Sequence, residues 1–293
     1  MSRQDRYIPG VPCWIDTTQP DPEAAAAFYG ELFGWKLEDA MPPEAPGRYF
    51  IARLPGGDVA AVGSPQDGAQ TATWNTYVWV EDAGDTAARV RSAGGTVLLQ
   101  PSDSGEYGRT AIFADPAGAT FRVWQPKAHR GAAVVNEPGS LSFNDLNTRD
   151  LDGAASFYGA VFGWEVLGGG GPSMWALPGY GDFLEERNPG TRENMAAMGA
   201  PERFEDVVAS LNPIPDDQAD VPPHWGVTFA VEDADAIATR AAELGGEVIA
   251  APFDAPWVRM TVVRDPQGAS FTAAKFVPEN KDLTPDAGAS RTA

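Results

Sequence analysis

Two kinds of segment alternate along the chain. Short runs rich in β-branched and aromatic residues, at 48–54, 58–63, 74–80, 96–100, 107–113 and 119–124, read as strands. Between them lie helical segments bounded by Asp at the start and Gly at the end. Asp21 can cap a helix with Pro22 at its first position and Gly34 at its close. Asp150 and Gly163 do the same further on, and two more helices, from about Ala83 to Ala93 and from Ala234 to Leu244, run onto Gly94-Gly95 and Gly245-Gly246. Asp115-Pro-Ala-Gly118 and Asp265-Pro-Gln-Gly268 read as hairpin turns, because Pro fixes φ and Gly accepts a positive one.

These segments repeat. Phe28-Tyr-Gly-Glu-Leu-Phe-Gly-Trp35 returns as Phe157-Tyr-Gly-Ala-Val-Phe-Gly-Trp164, and Asp16 and Asp21 return as Asp145 and Asp150, all at a shift of 129. The later blocks, Val80-Glu-Asp82 with Val231-Glu-Asp233 and the two Asp-Pro-x-Gly turns, are shifted by 151 and 150. Each half therefore reads β-α-β-β-β twice. The second half carries about twenty extra residues, between Trp175 and His224. That insertion, placed near 176–223, is expected to hold a short helix at 201–210 and a Pro-rich return, as a surface excursion or as a lid over a cleft. The resulting domains are 8–126 and 139–278, joined by a linker at 127–138 and followed by a flexible tail at 279–293.

Composition narrows the function classes. Among 293 residues, 41 acidic side chains against 21 basic give a net charge of −20, a field that repels phosphate backbones and anionic lipid surfaces. Nucleic-acid and membrane partners are not expected. No charged leader or membrane-spanning run is read, so the expected address is the cytoplasm. The single cysteine, Cys13, agrees with a reducing compartment and is read as a core thiol. Gly168–Gly171 lacks the Lys-Ser/Thr that would make it a phosphate loop, and is read as a flexible loop.

The doubled β-α-β-β-β order, with Phe-Tyr…Phe-Gly-Trp on the first helix and Asp-Pro-x-Gly before the last strand, resembles the vicinal oxygen chelate (glyoxalase/bleomycin resistance/extradiol dioxygenase) superfamily. The likeness covers roughly 11–126 and 139–278. It implies an α+β fold of two domains, each of paired βαβββ modules forming a cup-shaped, mainly antiparallel sheet. The chain resembles the tandem two-domain proteins of actinomycetes, similar to accessory proteins of antibiotic (anthracycline-like) gene clusters. The family's enzymes hold a metal on the first, fifth and eighth strands of a half. By the resemblance those positions here are Trp14, Asn75 and Arg122, then Phe143, Gly226 and Thr272, with no His, Glu or Asp among them. No metal site and no cofactor are therefore expected.

Aromatic residues stand where the metal ligands would. Residues i, i+2 and i+4 of a strand share a face, which groups Trp14 with Asp16, Asn75 with Tyr77 and Trp79, and Arg122 with Trp124. Phe143, Trp175, His224 and Trp257 complete the expected ligand-binding set. Asp16 and Asp145 follow the first-strand aromatic by two, and Arg109 and Arg259 follow Tyr107 and Trp257 by two. Asp–Arg pairing is expected among these four, either as structural ion pairs or with an Asp as general base and an Arg gripping an oxyanion. The function read from this is metal-free binding of a bulky aromatic natural product, for sequestration or to assist a biosynthetic tailoring oxygenase. The alternatives are a glyoxalase-like lyase or isomerase, or a cofactor-independent tailoring enzyme using Asp16 or Asp145. Monomer and homodimer are both compatible with an internal duplication.

Overall fold

The computed structural model describes residues 7–65, 71–168 and 173–283. Most of the 168–171 loop and residues 284–293 of the expected tail lie outside them. The first repeat runs β1 (Pro12–Thr18), α1 (Pro22–Phe33), β2 (Lys36–Asp39), β3 (Tyr49–Leu54), β4 (Gly57–Gly63), β5 (Thr73–Trp79), α2 (Ala83–Ser92), β6 (Thr96–Ser104), β7 (Gly108–Ala114) and β8 (Thr120–Pro126). The second runs β9 (Leu141–Thr148), α3 (Leu151–Phe162), β10 (Glu165–Leu167), β11 (Ser173–Ala176), α4 (Tyr180–Arg187), α5 (Thr191–Met198), β12 (Val207–Pro213), β13 (His224–Ala230), α6 (Ala234–Glu243), β14 (Glu247–Ala255), β15 (Val258–Arg264) and β16 (Ser270–Phe276).

Each repeat makes one eight-stranded mixed sheet, in the orders β2-β3-β4-β1-β5-β8-β7-β6 and β10-β11-β12-β9-β13-β16-β15-β14. Adjacent strands joined by turns are antiparallel, whereas β1 pairs parallel with β4 and β5 with β8, as do β9 with β12 and β13 with β16. A parallel pair needs a crossover, and the helix after each first strand supplies it. The caps form as the sequence requires. Asp21 accepts from the Ala24 amide and Asp150 from that of Gly153, while Gly34 and Gly163 close their helices at φ 70° and 76°. Asp82 and Asp233 cap α2 and α6 in the same way.

The structure corrects or narrows three expectations. The stretch 201–210 is not a helix: after a 3-10 turn at Phe204–Asp206 it becomes β12, the counterpart of β4, whose ladder to β9 needs extended backbone. The extra residues lie wholly between β11 and β12, where they form α4 and α5. The start of the expected tail is tied down, with Asn280 donating to Asp254 Oδ1 at 3.1 Å and to the Val258 carbonyl at 3.2 Å.

The chain packs into two compact units, and neither is a sequence repeat. One unit comprises Tyr77–Arg130, Asn144–Trp225 and the segment ending at Cys13. The other comprises Trp14–Thr76, Gly131–Phe143 and the segment from Gly226 onward. Each unit thus joins a βαβββ module of one repeat to a module of the other.

In the second unit, α1 of the first repeat lays its aromatics on the last module of the second. Phe33 packs on Phe229 with ring centroids 4.8 Å apart, and Tyr29 on Phe271 at 5.9 Å. The Tyr29 hydroxyl donates to Asp265 Oδ2 at 2.8 Å and accepts from Trp74 Nε1 at 3.1 Å. Asp265 is the Asp of the Asp-Pro-x-Gly turn, and its other oxygen accepts the amides of Gln267 and Ala269. Gln19 Nε2 adds a further donor to Asp265 Oδ2 at 2.6 Å. The Trp35 indole donates to the Gly139 carbonyl at 2.7 Å, just before β9.

The first unit repeats this scheme with the repeats exchanged. Tyr158 donates to Asp115 Oδ2 at 3.1 Å and accepts from Trp225 Nε1 at 2.9 Å, and Asp115 Oδ1 accepts the amides of Ala117 and Ala119. Trp164 donates to the Gly10 carbonyl at 2.8 Å. Burial and the neighbouring carboxylates hold both phenols well above their ordinary pKa, so Tyr29 and Tyr158 remain neutral donors. The repeated Phe-Tyr and Asp-Pro motifs are thus the two ends of a buried joint between modules.

Candidate functional site

In the second unit, β1 alternates. Ile15 enters the apolar core, and Trp14, Asp16 and Thr18 take the opposite face. Asp16 collects donors there: Asn75 Nδ2 lies 2.8 Å from Oδ1 and the Tyr49 hydroxyl 3.1 Å from Oδ2. Asn75 Nδ2 also reaches Thr18 Oγ1 at 3.0 Å, and Trp14 Nε1 donates to Tyr49 Oη at 3.3 Å. Trp14 and Asp16 are 3% and 4% exposed, while Tyr49 and Asn75 keep partly open surfaces. Tyr49 was not found from the sequence. The available signal was Gly63 at a strand end: a Cβ there would meet Tyr49 Cδ2 at 2.7 Å, so the glycine makes room for the ring.

In the first unit, Tyr77 stands opposite Arg122 and Trp79 opposite Trp124 in the parallel β5–β8 register. Arg122 donates to the Tyr77 hydroxyl at 2.8 Å, with its guanidinium carbon 5.4 Å from that ring's centre. The Trp124 indole donates to the His129 carbonyl at 2.9 Å and lies on Gly108, where a Cβ would come within 2.5 Å of it. Tyr77, Trp79 and Trp124 are buried, and Arg122 is partly exposed.

The second-repeat candidates are dispersed. Phe143 keeps partial exposure on β9. Two residues on, Asp145 Oδ1 accepts from Ser210 Oγ at 2.6 Å, and Asn212 Nδ2 donates to that same Ser210 oxygen at 3.1 Å. Ser210 was missed because the stretch 201–210 reads as a helix. Trp175 sits in the packed core, fully buried, with its ring 5.5 Å from Tyr158 of α3 and 5.6 Å from Trp164. His224 Nδ1 is 2.8 Å from the Pro222 carbonyl, at the beginning of β13. Trp257 turns the β14–β15 hairpin at φ 69° and stacks on Phe276, with the rings 5° from parallel.

The expected Asp–Arg pairing does not form as read. Arg109 lies 3.6 Å from Asp103, its partner across the β6–β7 hairpin. Arg259 lies 3.3 Å from Asp254 in the equivalent place and contacts Asp235 of α6 at 2.6 and 2.8 Å. Hairpin register brings these carboxylates opposite the arginines, and such exposed pairs are screened by solvent. Cys13 is fully buried, and burial pushes its thiol pKa up. That environment suits a packing residue rather than a nucleophile.

The residues at the family's metal positions make a poor donor set for a divalent ion. Trp14 offers only an N–H and Arg122 carries a positive charge, so of these three first-repeat positions only Asn75, through its amide oxygen, has a lone pair to give. Among the described residues, no group of three or more His, Cys, Asp or Glu is gathered where an ion could be held.

Comparison with known proteins places this geometry. The chain is 38% identical over 283 residues to a Mycobacterium bovis protein named "Putative glyoxylase CFP32", covering 95% of this chain and 100% of that protein. It is 36% identical over 290 residues to the anthracycline biosynthesis protein DnrV of Streptomyces peucetius, covering 92% and 95%. Among solved structures it resembles the Mn(II)-bound glyoxalase from Novosphingobium aromaticivorans, with a TM-score of 0.58 at 15% identity over 91% of this chain and 82% of that one. The 2,3-dioxygenase LapB from Pseudomonas sp. KL28 is likewise similar, with a TM-score of 0.58 at 13% identity over 92% and 93%. At such identities the structures speak for the fold alone. The family model for the Glyoxalase/Bleomycin resistance protein/Dioxygenase superfamily matches residues 14–123 and 140–272, and with one module of each repeat in either unit the chain belongs to that superfamily.

Proposed function

We propose that the protein binds a flat aromatic small molecule without a catalytic metal, on the β1 face that carries Trp14, Asp16, Tyr49 and Asn75. The observation that supports this reading is the Asp16 cluster. At family ligand positions it offers a satisfied polar network edged by the partly open Tyr49 ring and Asn75 amide. An apolar site with a few directed polar groups suits ligand binding. The Streptomyces relatives are named for anthracycline biosynthesis, and anthracyclines are polycyclic aromatics, which points to that ligand class. Sequestering such a molecule, or presenting it to a tailoring oxygenase, is the role that follows.

Titration of the purified protein with an anthracyclinone, read by tryptophan quenching, checks the proposal. Binding is expected to weaken about tenfold in Tyr49→Ala and Asn75→Ala, a loss of about 1.4 kcal/mol. Unchanged affinity in both would place the ligand elsewhere, and stoichiometric zinc, iron or manganese in the purified protein would overturn the metal-free reading. Turnover that disappears in Asp16→Asn or Asp145→Asn while binding persists would favour an enzyme instead.

A further inference from the structure

The insertion of the second repeat builds a cleft of its own. Helix α4 closes one side of an open cavity of about 660 Å³ in the first unit, and its other walls come from the segment before β1 and the ends of β5 and β8. That volume lies within the usual range for small-molecule sites, roughly 300–1,000 Å³. The residues are not those of the Asp16 cluster, and the inference does not rest on the function proposed for that cluster.

Three aromatic residues, Tyr7, Trp79 and Phe183, contribute to the walls beside Ile8, Pro9 and Pro126. Tyr7 and Trp79 lie with ring centroids 6.0 Å apart, and Phe183 of α4 faces the same cavity with Tyr180 stacked behind it at 6.1 Å. Two carboxylates, Glu81 and Glu186, edge the cleft. Both are exposed, and neither forms an ion pair with any described residue. The cation already present, Arg187, is held over the Phe183 ring with its guanidinium carbon 5.2 Å from the centre. Ring faces attract organic cations, and open carboxylates at the rim add to that attraction in a protein of net charge −20.

Among the described residues, the other unit has no equivalent. Between β3 and β4 the first repeat has only a tight turn where the second has α4 and α5, so nothing stands in for Phe183 or Glu186. Ala230 takes the place of Trp79, and Lys275 that of Gln125, at a shift of 151 or 150. The cleft is thus a product of the insertion rather than of the duplicated fold. We propose that it is a second binding site, selective for a small aromatic compound carrying a fixed or protonated nitrogen cation.

The test uses the full chain and two probes of the same shape, N-methylquinolinium and, at pH 8, neutral quinoline, followed by calorimetry at low salt. The cation is expected to bind at least about five times more tightly than quinoline. Glu81→Gln combined with Glu186→Gln should weaken the cation about tenfold, and Phe183→Ala should weaken both probes. Asn75→Ala, which perturbs the other cluster, should leave cation binding unchanged. Equal affinity for the two probes, or a double glutamine variant that binds like the wild type, would overturn the proposal. So would cation binding lost in Asn75→Ala but kept in the Glu and Phe183 variants.

Discussion

The two units build the same buried Tyr–Asp joint with different donor sets. In the first, Asp115 receives the Tyr158 hydroxyl and its own turn amides. In the second, Asp265 receives Tyr29, the turn amides and also Gln19 Nε2. Gln19 occupies the place that Thr148 holds in the second repeat, at the shift of 129, and the Thr148 hydroxyl is instead 3.3 Å from the Asp150 amide. The consequence is electrostatic. Burial pushes the Asp115 carboxyl pKa up despite the hydrogen bonds that pull it down. A buried carboxylate needs donors to stay charged, and one amide more or less decides how comfortably it does so.

The largest expected effect comes from deleting the phenol oxygens. Tyr158→Phe leaves Asp115 with backbone donors alone and Trp225 Nε1 without its acceptor, and should cost about 2–3 kcal/mol in urea unfolding. Tyr29→Phe leaves Gln19 on Asp265 and should cost about 1 kcal/mol less. Equal losses would mean that Gln19 carries none of the difference.

Gln19→Leu makes the second unit imitate the first. It removes the 2.6 Å bond to Asp265 and the 2.7 Å bond to Thr17 Oγ1. A destabilisation of about 1–2 kcal/mol is expected, and the Tyr29→Phe penalty measured on top of it should rise toward that of Tyr158→Phe. A double-mutant cycle with no coupling would separate the two donors.

The smallest expected effect is a pH dependence. The folded Asp115 has a pKa above its ordinary 3.8, so in the window just above that value the native state holds more proton than the unfolded chain. Its contribution is therefore fully present below 3.8 and declines as pH rises through the folded pKa. The stability of wild type relative to Asp115→Asn should fall with rising pH in that window. A slope of zero or of the opposite sign in that comparison would remove the Asp115 contribution.

Much of the candidate site was legible beforehand. Strand alternation is local, so Trp14 with Asp16, and Tyr77 with Trp79, could be grouped from spacing alone. What they touch was not legible. Tyr49 reaches Asp16 from two strands away, with only Gly63 as a local sign of its ring, and Ser210 reaches Asp145 from 65 residues on. Arg109 and Arg259 were assigned the wrong carboxylates because hairpin register, with its irregular steps between β6 and β7, places Asp103 opposite the one and the corresponding step in β14–β15 places Asp254 opposite the other. Trp175, expected in the ligand-binding set, packs instead on Tyr158 and Trp164, contacts that only the tertiary structure brings together.

By itself the sequence determined the duplication, the Asp caps, the glycine stops and the Asp-Pro-x-Gly turns, since each is a property of a few consecutive residues and their φ preferences. It could not determine which copies pair. A Tyr in each first helix and an Asp in each last turn could join within a repeat or between repeats with the same chemistry. Only the tertiary structure chose Tyr29 with Asp265, 236 residues apart, and Tyr158 with Asp115, 43 apart. The physical reason is that equivalent motifs are interchangeable as donors and acceptors. The choice is made by which module faces cover one another's apolar surface, where Phe33 meets Phe229 and Phe121 meets Tyr158.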